Sequence, residues 1–302
     1  MADDAAVPAG PLTIGGLHWM AWLFVAFALV DVVWFVVGAS FGTNPSPTDL
    51  LAYVLQVVPA LAAVLLPAAL LARHPDAPSR LPILVVGTML LALVQGLFIL
   101  AGPLQPLLAS IAPPSEDLTQ LAPLASLYDV LTLLIAGIGI LALGLGLSRA
   151  RGYEDRTGHW PVAIVPVAAV FATVVAVISV VGGSLGAGPV PEAYVVYLGA
   201  DGLLGVLRVS AWAYVAATAL RGWRAGEDPI VGWRLIAAAS VVIVLTLALI
   251  NLGGIVPIDP SGLVEAYGWV VLWGFALGNL ALLAAFVFGL PAVDPWGEDG
   301  EG

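Results

Sequence analysis

Long apolar stretches alternate with short polar breaks along the whole chain. Each stretch is close to the roughly 20 residues that an α-helix needs to cross the hydrocarbon core of a bilayer. Since hydrocarbon offers no water to the backbone, these stretches must form helices that satisfy their own peptide groups. The pattern predicts an all-α integral membrane protein with about eight transmembrane helices. They cover residues 17–40, 50–72, 81–102, 124–148, 160–182, 194–220, 231–252 and 264–289.

The overall composition agrees with this interpretation. Of the 302 residues, 61% are hydrophobic and 10% are charged, and the mean hydropathy is +1.06. A soluble domain averages about 25% charged residues. The net charge of -11 leaves no basic stripe that could neutralise phosphates, so nucleic acid is not an expected partner. The expected partner is the lipid bilayer.

Several kinds of chemistry are excluded by missing residues. The chain has no cysteine and no lysine, which removes disulfides, thiolate sites and Schiff bases. His18, His74 and His159 each lie at the end of an apolar segment, whereas a membrane haem or buried zinc site needs imidazoles within the spans. No motif for a metalloprotease or a serine nucleophile is found. We therefore expect neither an enzyme nor a bound cofactor or metal.

The arginines indicate how the chain is oriented. Eight of the nine fall in alternate connections, and the opposite connections carry only acidic residues. Positively charged connections stay on the cytoplasmic side, so both termini are expected in the cytoplasm, with the chain in the cell membrane. Residues 1–16 and 291–302 would then be acidic cytoplasmic tails. The eight arginines are Arg73, Arg80, Arg149, Arg151, Arg156, Arg221, Arg224 and Arg234.

The sequence also contains an internal similarity. It predicts two tandem four-helix repeats, at residues 17–150 and 151–290. Because four is an even number, both repeats would insert in the same direction, around a pseudo-twofold axis along the membrane normal. The matches are Val37–Pro47 with Val181–Pro191, Tyr53 with Tyr197, Arg80–Leu81 with Arg234–Leu235, Pro103 and Pro106 with Pro257 and Pro260, Tyr128 with Tyr267, and Gly139 with Gly278.

Polar residues inside the spans are the candidate functional groups, because they are costly in a membrane. Asp31, Asp201 and Arg208 form the predicted polar centre, with Asp129 and Asn279 next. Most of the polar groups fall in the outer half of the predicted spans, which favours an acidic cavity open to the outside. Further polar lining is expected from Gln56, Gln95 and Asn251.

Small residues at four-residue spacing predict close helix packing. They are Gly274 and Gly278 in the last span, and Ala142 and Gly146 in the fourth. Packing within one chain is the expected use, although a homo-oligomer is not excluded by the sequence.

Two functions remain open at the level of sequence. The first is binding or transport of a small solute or cation through the outward-facing cavity. The alternative is a non-catalytic structural or assembly subunit of a membrane complex, in which the same charges only hold helices together. The sequence identifies neither the solute nor a partner protein.

Overall fold

A computed structural model describes residues 13–40, 46–111, 123–150, 192–224, 232–253 and 263–289, and the structural statements below concern these residues. In this part of the chain two short strands precede eight helices. The elements are β1 (Thr13–Ile14), β2 (Leu17–His18), α1 (Trp19–Ser40), α2 (Pro47–Arg73), α3 (Ala77–Arg80), α4 (Pro82–Ile111), α5 (Pro123–Arg149), α6 (Glu192–Arg224), α7 (Gly232–Gly253) and α8 (Leu263–Phe288).

Seven of the described helices are long and apolar enough to cross a bilayer. They are α1, α2, α4, α5, α6, α7 and α8, and they coincide with seven of the predicted segments. The prediction of an all-α multi-pass membrane protein is confirmed. The remaining predicted segment, 160–182, lies outside the described residues.

Two helix boundaries differ from the hydropathy pattern. α2 begins three residues earlier than predicted, because Ser46 and Asp49 form a capping box: the Asp49 amide donates to the Ser46 Oγ at 3.2 Å, and the Ser46 amide donates to the Asp49 Oδ2 at 3.0 Å. α4 continues to Ile111 instead of ending at residue 102. Pro103 did not stop it, since proline removes only one hydrogen bond from a helix that is otherwise satisfied.

A small hairpin stands where the predicted N-terminal tail meets the first span. Thr13 pairs with His18 and Ile14 with Leu17, around Gly15 and Gly16, whose φ angles are 59° and 83°. Two consecutive glycines tolerate the positive φ angles of a tight hairpin turn. The Trp22 indole donates to the Ile14 carbonyl at 2.9 Å, which ties the hairpin to α1.

Six helices close into a ring. Going round it, the order of packed neighbours is α2, α4, α5, α6, α7, α8 and back to α2. α1 lies outside this ring, and its main helix contact is with α2.

Glycine contacts define the helix directions. A Cβ placed on Gly137 would lie 2.7 Å from Leu207, and one on Gly144 would lie 2.6 Å from Tyr214, so α5 and α6 run parallel. The Arg73 Nη1 donates to the Val287 carbonyl at 2.7 Å, which puts the C-terminal ends of α2 and α8 together.

α4 and α7 run in the opposite direction to their neighbours. Gly139 packs on Leu90 while Gly146 packs on Leu84, so α4 is antiparallel to α5. As a result, one end of the ring carries the arginines, and we call it the arginine end. Its described arginines are Arg73, Arg80, Arg149, Arg221 and Arg234.

Buried side chains concentrate in the half of the ring next to the arginine end. They come from all six ring helices and form one contiguous apolar cluster, which we call the plug. Its largest members, all less than 2% exposed, are Leu66, Leu70, Leu84, Leu143, Leu147, Val215, Trp233, Ile236, Ile243, Leu282 and Phe286.

Buried hydroxyls in the same region do not make the plug polar. Thr88 donates to the Val85 carbonyl at 2.9 Å, and Ser240 donates to the Ile236 carbonyl at 2.7 Å. Each bond returns to the helix that carries the hydroxyl. These two hydroxyls are therefore satisfied within their own helices and need no polar partner in the plug.

Candidate functional site: a vestibule beyond the plug

On five of the six ring helices, one face changes from buried to more accessible on leaving the plug. On α2, Ala63 and Pro67 are buried, and Gln56 lies on the same face, two and three turns away from them. Gln56 is nevertheless exposed. Residues seven or eleven positions apart share a helical face, so this face of α2 is covered at the plug and uncovered beyond it.

The same change occurs on α5 and α6. Ala136 is buried on α5, whereas Asp129, two turns further from the plug, is half-buried. Val215 is buried on α6, and Arg208, seven residues before it, is half-buried. Both charged residues therefore lie on the faces that form the plug, beyond its edge.

α4 and α8 complete the pattern. Thr88 is buried and Gln95, seven residues later, is half-buried; Phe286 is buried and Asn279, seven residues earlier, is half-buried. We call the ring-facing region beyond the plug the vestibule. Its described polar residues are Gln56, Gln95, Asp129, Arg208 and Asn279.

Two further predicted residues belong to the ring helices, Asp201 to α6 and Asn251 to α7. Asp201 is seven positions before Arg208, which puts it on the same helical face. The side chains of both residues lie outside the described part of the structure.

The parallel register of α5 and α6 fixes the relative depth of the two charges. Gly137 meets Leu207 and Gly144 meets Tyr214, so Arg208 lies level with Ile138. That is nine residues nearer the plug than Asp129, or about 13 Å along the axis at 1.5 Å per residue. In the vestibule, the Asp129 carboxylate thus lies farther from the plug than the Arg208 guanidinium.

Asp129 has a hydrogen-bond partner that the sequence did not indicate. The Gln105 Nε2 donates to the Asp129 Oδ1 at 2.7 Å, which joins α4 to α5 far from the plug. Next to it, the Tyr128 hydroxyl donates to the Leu97 carbonyl. Gln105 was missed because the predicted span ended at residue 102. The apolar spacing of Leu104, Leu107 and Leu108 could have shown that α4 continues.

Asn279 has a local partner as well. Its Nδ2 donates to the Phe275 carbonyl one turn back, at 2.9 Å. This bond fixes the amide against its own helix and leaves the side-chain oxygen as a possible acceptor toward the vestibule.

Asp31 is separated from the other candidates. It lies on α1, outside the ring, whereas Arg208 and Asp129 lie on the ring helices α6 and α5. The structure therefore separates Asp31 from Arg208, and the other predicted polar residues belong to the ring helices.

The small residues predicted to pack lie at helix contacts. A Cβ on Gly278 would lie 2.6 Å from Ile243, and one on Gly274 would overlap the Thr246 side chain, both on α7. A Cβ on Gly146 would lie 2.5 Å from the Leu84 Cα on α4, and the Ala142 backbone faces Gly87. These contacts hold the two antiparallel pairs α4–α5 and α7–α8.

Among the described residues, no three histidines or carboxylates are grouped so that they could hold a metal ion. Comparisons of the chain with protein-family models, curated protein sequences and solved structures found no match. The fold and composition define the class: this is a multi-pass α-helical membrane protein. A more specific function has to be inferred from the polar residues of the vestibule.

Proposed function

We propose that the chain binds and transports a small polar solute or ion through the vestibule, in the cell membrane. The observation that carries this proposal is the packing asymmetry of the ring. Side chains on one set of helix faces are buried at the arginine end and accessible beyond it, and the polar residues fall in the accessible half. In one conformation of an alternating-access carrier, the polar binding region is open to one side of the membrane and closed to the other. The vestibule and the plug would have these two roles.

The proposed orientation puts the arginine end in the cytoplasm, so that the vestibule opens outward. Five described arginines at one end of the ring support it, through the positive-inside rule. Eight spans with both termini inside are the topology that we propose with it.

We also propose that the ring is two repeats related by a twofold axis. Under that relation, α2 corresponds to α6, α4 to α7 and α5 to α8. The α5–α6 contact then corresponds to the α8–α2 contact, and both occur. This equivalence of two seams supports the repeat independently of residue identity.

Burial supports the same relation in detail. On α4 and α7, buried residues recur 152 positions apart: Leu84 with Ile236, and Thr88 with Ser240. On α2 and α6, the shift is 148 positions. The buried pairs on those helices are Ala62 with Ser210, Ala63 with Ala211, Val64 with Trp212, Leu66 with Tyr214, Ala68 with Ala216, Leu70 with Thr218, and Leu71 with Ala219.

Two equivalent hydrogen bonds support the relation as well. Tyr128 of α5 donates to the Leu97 carbonyl of α4, and Tyr267 of α8 donates to the Leu249 carbonyl of α7. The acceptors are 152 positions apart, as expected for α4 and α7, and the tyrosines give a shift of 139 positions between α5 and α8. The loop motifs align at shifts of 144 and 154 instead. The sequence shift that aligns the helices therefore differs by two to four residues, at most about one helical turn, from the shift that aligns the loops.

The polar residues do not follow this symmetry, which favours a binding role over a structural one. The residue equivalent to Asp129 is Gly268, and the residue equivalent to Arg208 is Ala60. The equivalent positions in the other repeat are thus uncharged. Because that repeat packs without these charges, helix packing alone does not account for them, and this supports a binding role.

The test is ligand binding by the purified, reconstituted protein. A thermal-shift panel of monovalent and divalent cations, amino acids and small polyols would identify ligands, and counterflow in proteoliposomes would confirm transport. We expect the double variant Asp201→Asn, Arg208→Gln to lose at least about tenfold in affinity, because a hydrogen bond to a charged group contributes about 1.5–3 kcal/mol.

Arg80→Gln is the matched control, since Arg80 lies at the arginine end and is paired with Asp76 at 2.5 Å. It should leave the affinity unchanged. If the double variant instead unfolds or loses copurifying proteins, and no ligand shifts the wild-type protein, the structural or assembly role would replace the proposal.

A further inference from the structure

Asp31 lies on the α1 face that packs on α2, beyond the buried part of that face. Ala21, Phe24 and Ala28 on this face are buried, and Asp31 and Phe35 continue it by one and two turns. Phe35 makes an edge-to-face contact with Tyr53 of α2, with ring centroids 5.8 Å apart. Asp31, which is half-buried, therefore lies between a buried alanine and an aromatic pair along this face.

One oxygen of the Asp31 carboxyl is buried without a hydrogen bond. The Oδ2 atom makes none within the described residues, although the residue as a whole is half-buried. Because the helices are antiparallel and Phe35 meets Tyr53, the α2 residues opposite Asp31 lie near residue 58.

No charge on α2 is close enough to pair with Asp31. From Val54 to Ala72, α2 has no ionisable residue, and its only amide is Gln56. The titratable groups of the packed elements are at the two ends of the contact: Tyr53 at one, His18 of β2 at the other, with Asp49 and Arg73 at the ends of α2. An ionised carboxylate here, within a membrane span, would have no counter-ion on α2, which makes the charged form costly.

We propose that Asp31 is a proton-binding site, a carboxylic acid that stays neutral at neutral pH while α1 is packed on α2. The neutral acid can donate to a backbone carbonyl of its own helix, as serine and threonine do in apolar helices. Its ligand is a proton, and the site stands apart from the vestibule.

A membrane-permeant carbodiimide tests this directly. Dicyclohexylcarbodiimide reacts with a protonated carboxyl: the acid proton passes to a carbodiimide nitrogen, the carboxyl oxygen bonds to the central carbon, and acyl transfer to nitrogen gives a stable N-acylurea. Nothing leaves, so the adduct is the sum of both reactants and is found by peptide mass mapping of the full-length protein in liposomes.

We expect preferential labelling of Asp31 that decreases as the pH rises. A solvent-exposed aspartate is only about 0.1% protonated at pH 7, so the adduct at Asp31 should exceed that at the exposed Asp49 by at least about tenfold. Asp31→Glu should keep the adduct, Asp31→Asn should abolish it, and Asp129→Asn should not change it.

Three results would overturn the proposal. They are labelling of Asp31 no greater than that of Asp49, labelling that is independent of pH, and equally fast modification of Asp31 by a water-soluble carbodiimide.

Stability gives a second measurement. Asp31→Asn mimics the neutral acid, so the wild-type protein should lose thermal stability relative to this variant as the pH is raised above neutral. A gap that does not change with pH would contradict the proposal. A failure of ligand binding in the vestibule would not affect either measurement.

Discussion

Replacing Gly87 by alanine is expected to push helices α4 and α5 apart and to lower the free energy of unfolding by at least about 2 kcal/mol. A Cβ at this position would lie 2.5 Å from the Leu143 backbone nitrogen and 2.9 Å from the Ala142 carbonyl carbon. These are backbone atoms, so no side-chain rotation relieves the overlap. Helix association in lipid depends on such close packing, and we therefore expect a single methyl group to have a large effect here.

Gly96 provides the matched control on the same helix. A Cβ there would meet nothing within 4 Å. Gly96→Ala should be neutral, or stabilise the protein by up to about 1 kcal/mol through its higher helix propensity. Reversible unfolding of both variants in mixed micelles measures the difference. Equal losses for the two variants would show that the α4–α5 contact is not as close as described.

The second large effect is expected for Trp233→Ala. Trp233 is 0% exposed, at the start of α7, and it is the largest fully buried side chain in the plug. In soluble proteins, truncating a buried aromatic residue costs about 3–5 kcal/mol. In a membrane the transfer part of that cost is smaller, because lipid is as apolar as the protein interior. The cavity part remains, so we expect a loss of about 2–4 kcal/mol.

Trp273→Ala makes the corresponding change at a side chain that is 44% exposed. It leaves no enclosed cavity and should cost less than about 1 kcal/mol. Thermal unfolding in lipid nanodiscs compares the two tryptophans under the same conditions. A similar loss at both positions would contradict the existence of a packed plug.

The transmembrane helices could be predicted from the sequence because lipid imposes a simple requirement. Every span must be apolar over about 20 residues, and the seven described helices satisfy it. The end of α4 was harder to place, since Gly102 and Pro103 resemble a break. In an apolar environment a helix continues past such residues when the alternative leaves peptide groups unsatisfied.

The neighbours of each helix could not be predicted in the same way. In water, an apolar stripe marks the buried face, but in lipid both the buried and the exposed faces are apolar. Leu91, which is buried, and Leu93, which is exposed, therefore look alike in the sequence. Likewise, nothing in the sequence distinguishes Gly87, which is packed against α5, from Gly96, which has open space around it.

Polar residues carried more information than apolar ones. Arg208, Asp129, Gln95 and Asn279 were selected for their cost in a membrane, and in the structure all four are half-buried, on ring helices and two turns from a buried residue of the same helical face. Asp31 met the same criterion but lies outside the ring. The energetic cost of a charge in lipid indicates that Asp31 needs a role, but it does not indicate which one. The packing of α1 on α2 shows that Asp31 is apart from the vestibule residues.

The most direct test of the vestibule is accessibility of single cysteines, for which the chain is suited because it has no cysteine of its own. Gln56→Cys and Asn279→Cys would report on the vestibule, and Leu70→Cys and Leu282→Cys on the plug. A membrane-impermeant thiol reagent added to intact cells should label the first pair and not the second. Equal labelling of the plug positions, or labelling of the vestibule positions only from the cytoplasmic side of inverted vesicles, would contradict a ring that opens outward and is sealed at the arginine end.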